Sequence, residues 1–280
     1  MDSLVDIIPL IIMLSSLGVV AGFLAGLLGV GGGIVLVPGL YFIFTLLQED
    51  FGFDKAHLMH LSVGTSLAII VPTGSSSAWA HHKKACVDFY LVKKIGLGIV
   101  TGVIASTLIA KGLDELTMRI IFATAILFFA GLMIVGRSRF QAEDVNMPSP
   151  QKNYFAGTVI GSISTLIGIG GATISVPYMS LHGIKMHRAV GTASALGLVI
   201  SVPATLGFIY NGWSQDNLPP FSLGYVNVLA WICIIPLSIT IAPLGAKASH
   251  SINVKRLKTI FAIFMIFVAL NMWRKILMGG

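Results

Sequence analysis

Long runs without a charged residue alternate with short polar stretches along the whole 280-residue chain. The windows that lack Asp, Glu, Lys and Arg are 7–48, 56–82, 95–110, 120–136, 153–184, 189–215, 217–246 and 259–273. About 20 apolar residues are enough for a helix that crosses the hydrocarbon core of a bilayer, and several windows reach that length. The pattern predicts an all-α polytopic membrane protein whose main surroundings are the lipid bilayer.

Glycine, proline and polar residues divide these windows into ten predicted membrane segments. The segments are 7–28, 34–48, 61–80, 90–110, 117–136, 153–167, 173–182, 189–210, 224–246 and 257–275. The stretch 137–152 is a polar linker with five segments on each side. We therefore expect a first membrane repeat over 1–136, a cytoplasmic linker over 137–152 and a second membrane repeat over 153–280.

The two halves are similar in sequence. At an offset of 139, residues 18–38 match residues 157–177 at nine of 21 positions, and at an offset of 127 "MHLSVGTS" (59–66) matches "MHRAVGTA" (186–193) at five of eight. Because five segments are an odd number, the second repeat is expected to be inverted in the membrane. Inverted repeats are typical of secondary transporters, whose binding site lies between the repeats near the midplane.

Composition and charge agree with a membrane protein and set its orientation. Only 10% of the residues are charged, against about 25% in soluble domains. If the N-terminus is outside, 13 of the 18 Lys and Arg residues lie in inside loops, as the positive-inside rule requires. The distribution of these basic residues therefore predicts a protein of the inner (plasma) membrane with both termini outside. Because the positive charges lie in short loops, the net charge of +7 does not indicate a nucleic-acid partner.

Two glycine-rich breaks, "GVGGGIVLVP" (29–38) and "GIGGATISVP" (168–177), precede the second and seventh segments. As helices these segments would measure roughly 22 Å and 15 Å, which is short for a core of about 30 Å. Short, glycine-interrupted segments at corresponding positions of two halves indicate a transporter's binding site. A complete crossing and a re-entrant hairpin both fit the charges of the loops.

A helix that starts after a glycine break presents free backbone N–H groups and the positive end of its dipole, which favour anions. The charge-free windows leave no carboxylate at membrane depth for a cation. We therefore expect a small anionic substrate held by amides and hydroxyls. The candidate binding residues are Gly31, Gly32, Gly33, Ile34, Thr65, Ser66, Gly170, Gly171, Ala172, Thr173, Thr192 and Ser194.

Other interpretations stay open for several of these residues and their neighbours. The hydroxyls of Thr65, Ser66, Thr192 and Ser194 equally fit hydrogen bonds to their own or a neighbouring helix. Glycines four residues apart, such as Gly18 and Gly22, predict close helix packing. Close helix packing, and not ligand binding, is the role expected of these glycines: Gly18, Gly22, Gly26, Gly157 and Gly161.

His60 and His187 occupy equivalent positions in the two halves. Imidazole titrates near physiological pH, so these side chains suit gating or proton coupling as well as an interfacial position at a helix end. Cys86 and Cys233 lack the spacing of a metal site or disulfide framework, and no HExxH motif is present. We expect no cofactor, no metal and no enzymatic activity; a homo-oligomer is compatible with the sequence.

The motifs "GLLGVGGGIVLVP" and "TLIGIGGATISVP", together with "HLSVGT", "HRAVGT" and a third loop flanked by lysines, resemble the TauE/SafE-type sulfite exporter family. The resemblance covers nearly the whole chain. The glycines that match the family's pattern are Gly29, Gly31, Gly32, Gly168, Gly170 and Gly171, and the pairs Gly64-Thr65 and Gly191-Thr192 match as well. Ala172 and Ala193 depart from the pattern of the first half, which has Gly33 and Ser66.

The resemblance implies a secondary transporter of the cytoplasmic membrane. It implies export of small sulfur-containing anions, such as sulfite or a two-carbon organosulfonate like sulfoacetate. A transporter or passive channel for another small organic or inorganic anion is the alternative. Faster flux in the presence of anion on the opposite side would distinguish a transporter from a passive channel, because a channel shows no such exchange acceleration.

Overall fold

The computed structural model describes residues 7–28, 32–48, 54–135, 148–215, 217–248 and 254–278. In these ranges the chain forms ten α-helices and one short β-hairpin. The helices are α1 (Ile8–Leu28), α2 (Gly33–Leu46), α3 (Leu58–Lys83), α4 (Phe89–Lys111), α5 (Glu115–Val135), α6 (Pro150–Ile167), α7 (Ala172–Leu181), α8 (Met186–Gly212), α9 (Val228–Ala248) and α10 (Val254–Leu277). Strands β1 (Ser222–Leu223) and β2 (Val226–Asn227) pair antiparallel between α8 and α9.

The helices lie on the ten predicted segments, with ends that differ by a few residues. Helix α6 begins at Pro150, inside the stretch assigned to the linker, because proline is well suited to the first turn of a helix. The prediction of a membrane segment from residue 224 was wrong for its first four residues. Gly224, with a positive φ of 55°, begins the two-residue turn of the hairpin instead, and Phe221, with φ 63°, directly precedes β1.

Six helical stretches are long and apolar enough to cross a membrane by length and composition. They are Ile8–Gly26, Lys55–Lys83, Phe89–Lys111, Glu115–Leu132, Met186–Gly212 and Val228–Gly245. Helices α2 and α7, which follow the glycine breaks, have 14 and 10 residues. At the helical rise they are about 21 Å and 15 Å long, so they are shorter than the hydrocarbon core, as the sequence predicted.

Glycines form the contact between α1 and α9. A Cβ on Gly18 would lie 2.9 Å from the carbonyl oxygen of Ile234, and one on Gly22 would lie 2.6 Å from that of Ser238. The Ser238 hydroxyl donates a hydrogen bond of 3.0 Å to the carbonyl oxygen of Gly18. The packing role predicted for these two glycines is confirmed, because no side chain fits between the two backbones.

The contact between α4 and α6 has the same construction. A Cβ on Gly98 or Gly102 of α4 would overlap the carbonyl group of Tyr154 or Thr158 on α6. Gly157 and Gly161 of α6 in turn lie against the backbone of α4 near Ile95 and Ile99. The residue numbers rise together along both helices, so α4 and α6 are parallel, as are α1 and α9.

Helices α3 and α8 cross at the centre of the molecule. Gly64 lies against Phe208 and Gly74 against Leu198. Because one number falls as the other rises, these two helices are antiparallel. Helix α2 packs against α3, α7 packs against α8, and α5 pairs with α10. The two helices that follow the breaks are therefore held by the central pair.

Candidate functional site

The two glycine breaks, distant in sequence, lie against each other beside α3. A Cβ on Gly33, the first residue of α2, would be 2.9 Å from the carbonyl oxygen of Gly168 and 3.1 Å from the Cα of Ile169. The Ser66 hydroxyl on α3 donates a hydrogen bond of 2.9 Å to the same Gly168 oxygen. The structure therefore brings Gly33, Ser66 and the second break together at one point.

The second break turns the chain with two residues in the left-handed conformation. Gly168 at the end of α6 has φ +72°, and Gly171 at the start of α7 has φ +75°. A residue with a side chain would be strained at either position. A Cβ on Gly171 would also collide with Ile200 of α8. Glycine is needed at both positions, at Gly171 also because α8 already fills the space that a side chain would take.

The N-terminus of α7 presents unused hydrogen-bond donors. Among the described residues, no acceptor is found for the backbone N–H groups of Gly170, Gly171, Ala172 and Thr173. The first donors of α7 that are used belong to Ile174 and Ser175, and both bond the Gly171 oxygen. The break therefore combines free N–H groups with the positive end of a helix dipole, which is a favourable arrangement for an anion.

Buried hydroxyl groups without partners occur on the three helices at the second break. Among the described residues, no hydrogen-bond partner is found for the hydroxyl oxygens of these side chains on α6, α7 and α8: Ser164, Thr165, Thr173, Ser175, Ser201 and Thr205. The side chain of Ser164 is fully buried, and its Oγ lies 3.6 Å from the position of a Cβ on Gly171. An unpaired buried hydroxyl costs about 1–3 kcal/mol, so a bound ligand that accepts hydrogen bonds would remove an existing penalty.

Helix α8 directs one of these hydroxyls toward the break. Gly197 of α8 lies against the carbonyl oxygen of Gly170, 2.8 Å from the position of its Cβ. Ser201 is one turn further along the same face of α8 and is fully buried. The residue on the same face one turn in the other direction is Ser194, whose hydroxyl bonds Ser77 of α3 at 3.1 Å.

The hydroxyls belong to the second half alone. At the offsets that relate the two halves, Ser164, Thr165, Thr173, Ser175, Ser201 and Thr205 correspond to Ala25, Gly26, Ile34, Leu36, Gly74 and Ala78. None of these six equivalents has a hydroxyl. Ile34 and Leu36 are buried in the core, so the first half contributes an apolar surface. Gly31, also predicted for the site, lies outside the described residues.

The repeated threonines hold the starts of two helices. Thr65 Oγ1 accepts a hydrogen bond of 2.9 Å from the N–H of Asn227, and Thr192 Oγ1 accepts one of 3.0 Å from the N–H of Asp88. Asp88 and Asn227 are equivalent at the offset of 139, and each caps the helix that follows. The hydrogen-bonding interpretation of these two threonines therefore has direct support, and neither hydroxyl is free at the breaks.

The glycines before these threonines complete the same contact. Gly64 lies against the carbonyl oxygen of Tyr225, and a Cβ on Gly191 would be 2.6 Å from that of Cys86. Tyr225 and Cys86 are again related by 139 residues. Each "VGT" motif therefore packs against the loop that precedes a helix. Gly64-Thr65 contact the loop before α9, and Gly191-Thr192 contact the loop before α4.

Replacing Thr65 by valine is expected to destabilise the protein without changing flux per folded molecule. Valine has nearly the same shape but leaves the buried N–H of Asn227 without an acceptor, at a cost of about 1–3 kcal/mol. The melting temperature and the counterflow rate per folded protein measure the two effects. Thr124→Val, at an exposed position of α5, is the matched control. A normal melting temperature combined with lost flux would instead assign Thr65 to the substrate.

The two equivalent histidines have different surroundings. His187 is exposed at the start of α8, as expected of an interfacial residue. His60 is 3% exposed, because the ring of Tyr225 lies over it at 5.0 Å. The Nε2 of His60 bonds the carbonyl oxygen of Ala110 at 3.1 Å, so His60 is buried within the protein, near the start of α3, whereas His187 is exposed.

Tyr225 links this histidine to the chain before α3. Burial first, and the negative charge of Glu115 second, raise the pKa of the Tyr225 phenol above its ordinary value. The hydroxyl therefore keeps its proton and lies 3.3 Å from the Nδ1 of His57. The hairpin that carries Tyr225 was not predicted, so the sequence did not indicate this contact.

Glu115 and Arg119, in the first turns of α5, were also missed as candidates. Their side chains are only 12% and 15% exposed and lie 4.0 Å apart. The carboxylate accepts a hydrogen bond of 2.9 Å from the N–H of Met59 in the first turn of α3. Both residues lie between the charge-free windows 95–110 and 120–136; the sequence signal that connects them is their i,i+4 spacing.

The apolar helices packed around the two glycine breaks are those of a multi-pass membrane protein. The family description "Sulfite exporter TauE/SafE" matches residues 14–272, and the chain therefore belongs to that family. A relative from Haemophilus influenzae, called a probable membrane transporter protein, is 34% identical over 258 residues, which cover 92% of this chain and 96% of the relative.

More distant relatives carry the same name. One from Methanocaldococcus jannaschii is 26% identical over 269 residues, covering 90% of each chain. One from Bacillus subtilis is 26% identical over 276 residues, covering 92% of this chain and 95% of the relative. Each is called a probable membrane transporter protein, and the similarity extends over both halves.

Proposed function

We propose that the protein is a secondary transporter that exports a small sulfur-containing anion across the cytoplasmic membrane. Sulfite and two-carbon organosulfonates such as sulfoacetate are the proposed substrates. The observation that carries the proposal is the N-terminus of α7, where four backbone N–H groups and nearby buried hydroxyls such as Ser164 find no hydrogen-bond partner in the described part of the chain. Family membership supports the same class of substrate.

The chemistry of this helix end favours an anion held by neutral donors. The windows 153–184 and 189–215, which include nearly all of α6, α7 and α8, contain no Asp, Glu, Lys or Arg. Oxyanions accept several hydrogen bonds at once, so hydroxyls and amides can replace part of their hydration shell. The absence of a fixed cation in this sequence window favours moderate binding, which a transporter needs for release.

The pairing of helices supports two inverted repeats, over 1–136 and 153–280, that change access alternately. When segment numbers are shifted by five, the α1–α9 contact becomes the α6–α4 contact. Under the same shift, the α3–α8 and α5–α10 pairs correspond to themselves. In this proposal the linker 137–152 is cytoplasmic and both termini are outside. The anion binds where the breaks meet, and rocking of one repeat against the other moves access across the membrane.

Replacing Ser164 by alanine is expected to weaken anion binding without lowering stability. A hydrogen bond to a charged ligand is worth about 1.5–3 kcal/mol, so the apparent Kd for sulfite or sulfoacetate should rise roughly tenfold to a hundredfold. Counterflow in proteoliposomes gives the affinity, and thermal unfolding gives the stability. Because the Ser164 hydroxyl bonds none of the residues that the structure describes, its loss leaves no unpaired group among them.

Ser106→Ala is the matched control, since the Ser106 hydroxyl bonds the Gly102 carbonyl oxygen of its own helix at 2.7 Å. This variant should keep the wild-type affinity. Unchanged affinity in both Ser164→Ala and Ser201→Ala would contradict a site at the second break. Flux that neither saturates nor accelerates with anion on the opposite side would indicate a passive channel.

A further inference from the structure

A second polar cluster lies at the N-terminal end of α3, away from the hydroxyls of the second break. Glu115 and Arg119 of α5 are its charged members, and Tyr41 of α2 hydrogen-bonds Arg119. His60 of α3 and Tyr225 of the hairpin stack beside it. Five buried polar side chains from four parts of the chain therefore meet where α3 begins, and the substrate proposal uses none of them.

Glu115 has one carboxylate oxygen in use and one without a donor. Its Oε2 accepts the N–H of Met59 at 2.9 Å. Its Oε1 is buried and has no hydrogen-bond partner among the described residues; the nearest charged atom of Arg119 is 4.0 Å away. A buried carboxylate oxygen without a donor is unfavourable, and binding a proton there removes the charge that causes the penalty.

His60 is a second buried base in the same region. A carbonyl oxygen can only accept, so the Nε2 that bonds Ala110 carries the hydrogen. The Nδ1 therefore has a free lone pair, and it too is buried with no hydrogen-bond partner within the described ranges. The cluster has two unpaired proton acceptors, Glu115 Oε1 and His60 Nδ1, in a part of the protein that excludes most water.

The remaining charges around Glu115 lie toward the surface. Asp114, with its pKa lowered by hydrogen bonds from Thr117, is exposed beside it on the chain. Helices α6 and α10 also pack along α5, and their described charges near its ends are exposed. The other titratable or charged groups of the surrounding elements are Asp54, Lys55, His57, Lys111, Lys152, Arg274 and Lys275. Arg119 is the mostly buried cation whose positive charge lies beside an ionised Glu115.

Helix α3 connects this cluster to the breaks. Met59, which bonds Glu115, and Ser66, which bonds Gly168, are separated by about two helical turns. One turn further, Ile70 Cδ1 lies 3.0 Å from the position of a Cβ on Gly33, and Ile70 also lies against Gly170. One continuous helix therefore joins the contact of Glu115 with Met59 to the contacts of Ser66 and Ile70 with the two breaks.

We propose that Glu115 is a proton-binding site that couples anion transport to the proton gradient. This inference rests on the proposed function. An ionised Glu115 bonds the N-terminus of α3 and attracts its dipole, which keeps α3 fixed to α5. Proton binding at Oε1 removes that attraction and frees α3 to move with the breaks, so one carboxyl group alternates between two states during each cycle.

Glu115→Gln tests the proposal, because glutamine keeps the shape and an acceptor for Met59 but cannot titrate. We expect labelled sulfite counterflow without a gradient to stay within about twofold of wild type. Net flux driven by a pH gradient at clamped zero potential should fall roughly tenfold or more. Asp114→Asn, which removes the neighbouring exposed carboxylate and retains its capping oxygen, should leave both rates unchanged.

Two further measurements keep the proposal testable if Glu115→Gln does not fold. Glu115→Asp retains a carboxyl group in a different position and should shift the pH profile of net flux. Infrared titration of the purified wild type, without substrate, should show a protonated carboxyl band that Glu115→Asp moves. Undiminished pH-driven flux in Glu115→Gln, or an unmoved pH profile and band in Glu115→Asp, would overturn the proton site.

The outcomes also separate this site from the proposed function. A wild type without counterflow of sulfite or sulfoacetate would contradict the proposed substrates, and the infrared band would still decide whether Glu115 binds a proton. A wild type that is active in counterflow but whose net flux ignores the pH gradient would contradict the proton site alone.

Discussion

Replacing Gly33 by alanine is expected to abolish most transport while the protein still folds. The new methyl group would lie 2.9 Å from the Gly168 oxygen, 3.0 Å from Ile70 Cδ1 and 3.1 Å from the Cα of Ile169. Gly33 is the first residue of α2 and has no positive φ, so alanine fits its backbone. The added group acts only on the junction between the two breaks.

The size of the effect follows from the cost of overpacking. An extra methyl group in a filled space costs about 1–3 kcal/mol. If that cost falls on the state in which the breaks are in contact, flux declines roughly fivefold to a hundredfold. Counterflow of labelled sulfite in proteoliposomes measures it, with size-exclusion chromatography as the check on folding.

Gly131→Ala is the matched control for Gly33→Ala. Gly131 is a helical glycine of α5, and a Cβ there would have no atom within 4 Å. This variant should transport like the wild type. Wild-type flux in Gly33→Ala would show that the breaks do not need to touch during the cycle, and the location of the site would then be wrong.

Replacing Gly102 by leucine is expected to prevent folding altogether. Even a Cβ at this position would overlap the carbonyl group of Thr158 and lie 3.0 Å from the N of Ser162. Three further carbon atoms would separate α4 from α6 and break the contacts of Gly157 and Gly161 with α4. Because both neighbours are backbone atoms, no side chain can move to make room.

The yield of monodisperse protein and its melting temperature measure this effect. Overpacking costs about 1–3 kcal/mol where neighbouring side chains can shift. Because backbone atoms of α6 are the obstacle here, the cost is expected to exceed that range and to approach the total stability of about 5–15 kcal/mol. Gly131→Leu makes the same change at an open position of α5 and should express normally. A stable Gly102→Leu protein would contradict the close parallel packing of α4 and α6.

Much of the helix arrangement could be predicted from the sequence. The ten apolar segments, the short helices after each break and the use of Gly18 and Gly22 for close helix packing all follow from local composition and spacing, although the partner helix of these glycines does not. The hairpin at 222–227 could not be predicted, because "SLGYVN" continues into an apolar run and its turn depends on Gly224 lying against Ile209 of α8. The start of α9 at Val228 therefore depends on residues that are close in space and distant in sequence.

The sequence predicted a site at the two glycine breaks but not the contacts that its residues make. The glycine breaks indicated where to look, and the structure brings Gly33 and Gly168 together. Thr65 and Ser66 are adjacent and equally polar in the sequence, yet one holds the start of α9 and the other bonds the second break. Helical geometry separates neighbouring residues by about 100°, so their partners depend on which helices lie on each side.

The sequence by itself determined that this protein is a bundle of apolar helices with two broken ones. Each segment's preference for the bilayer depends on its own residues, and each glycine run limits its own helix. Only the tertiary structure decided which hydroxyls at α7 lack partners, and that Glu115 lies buried against α3. Whether a polar group is satisfied depends on residues more than 50 positions away, such as Met59 for Glu115, and on the packing that excludes water from both.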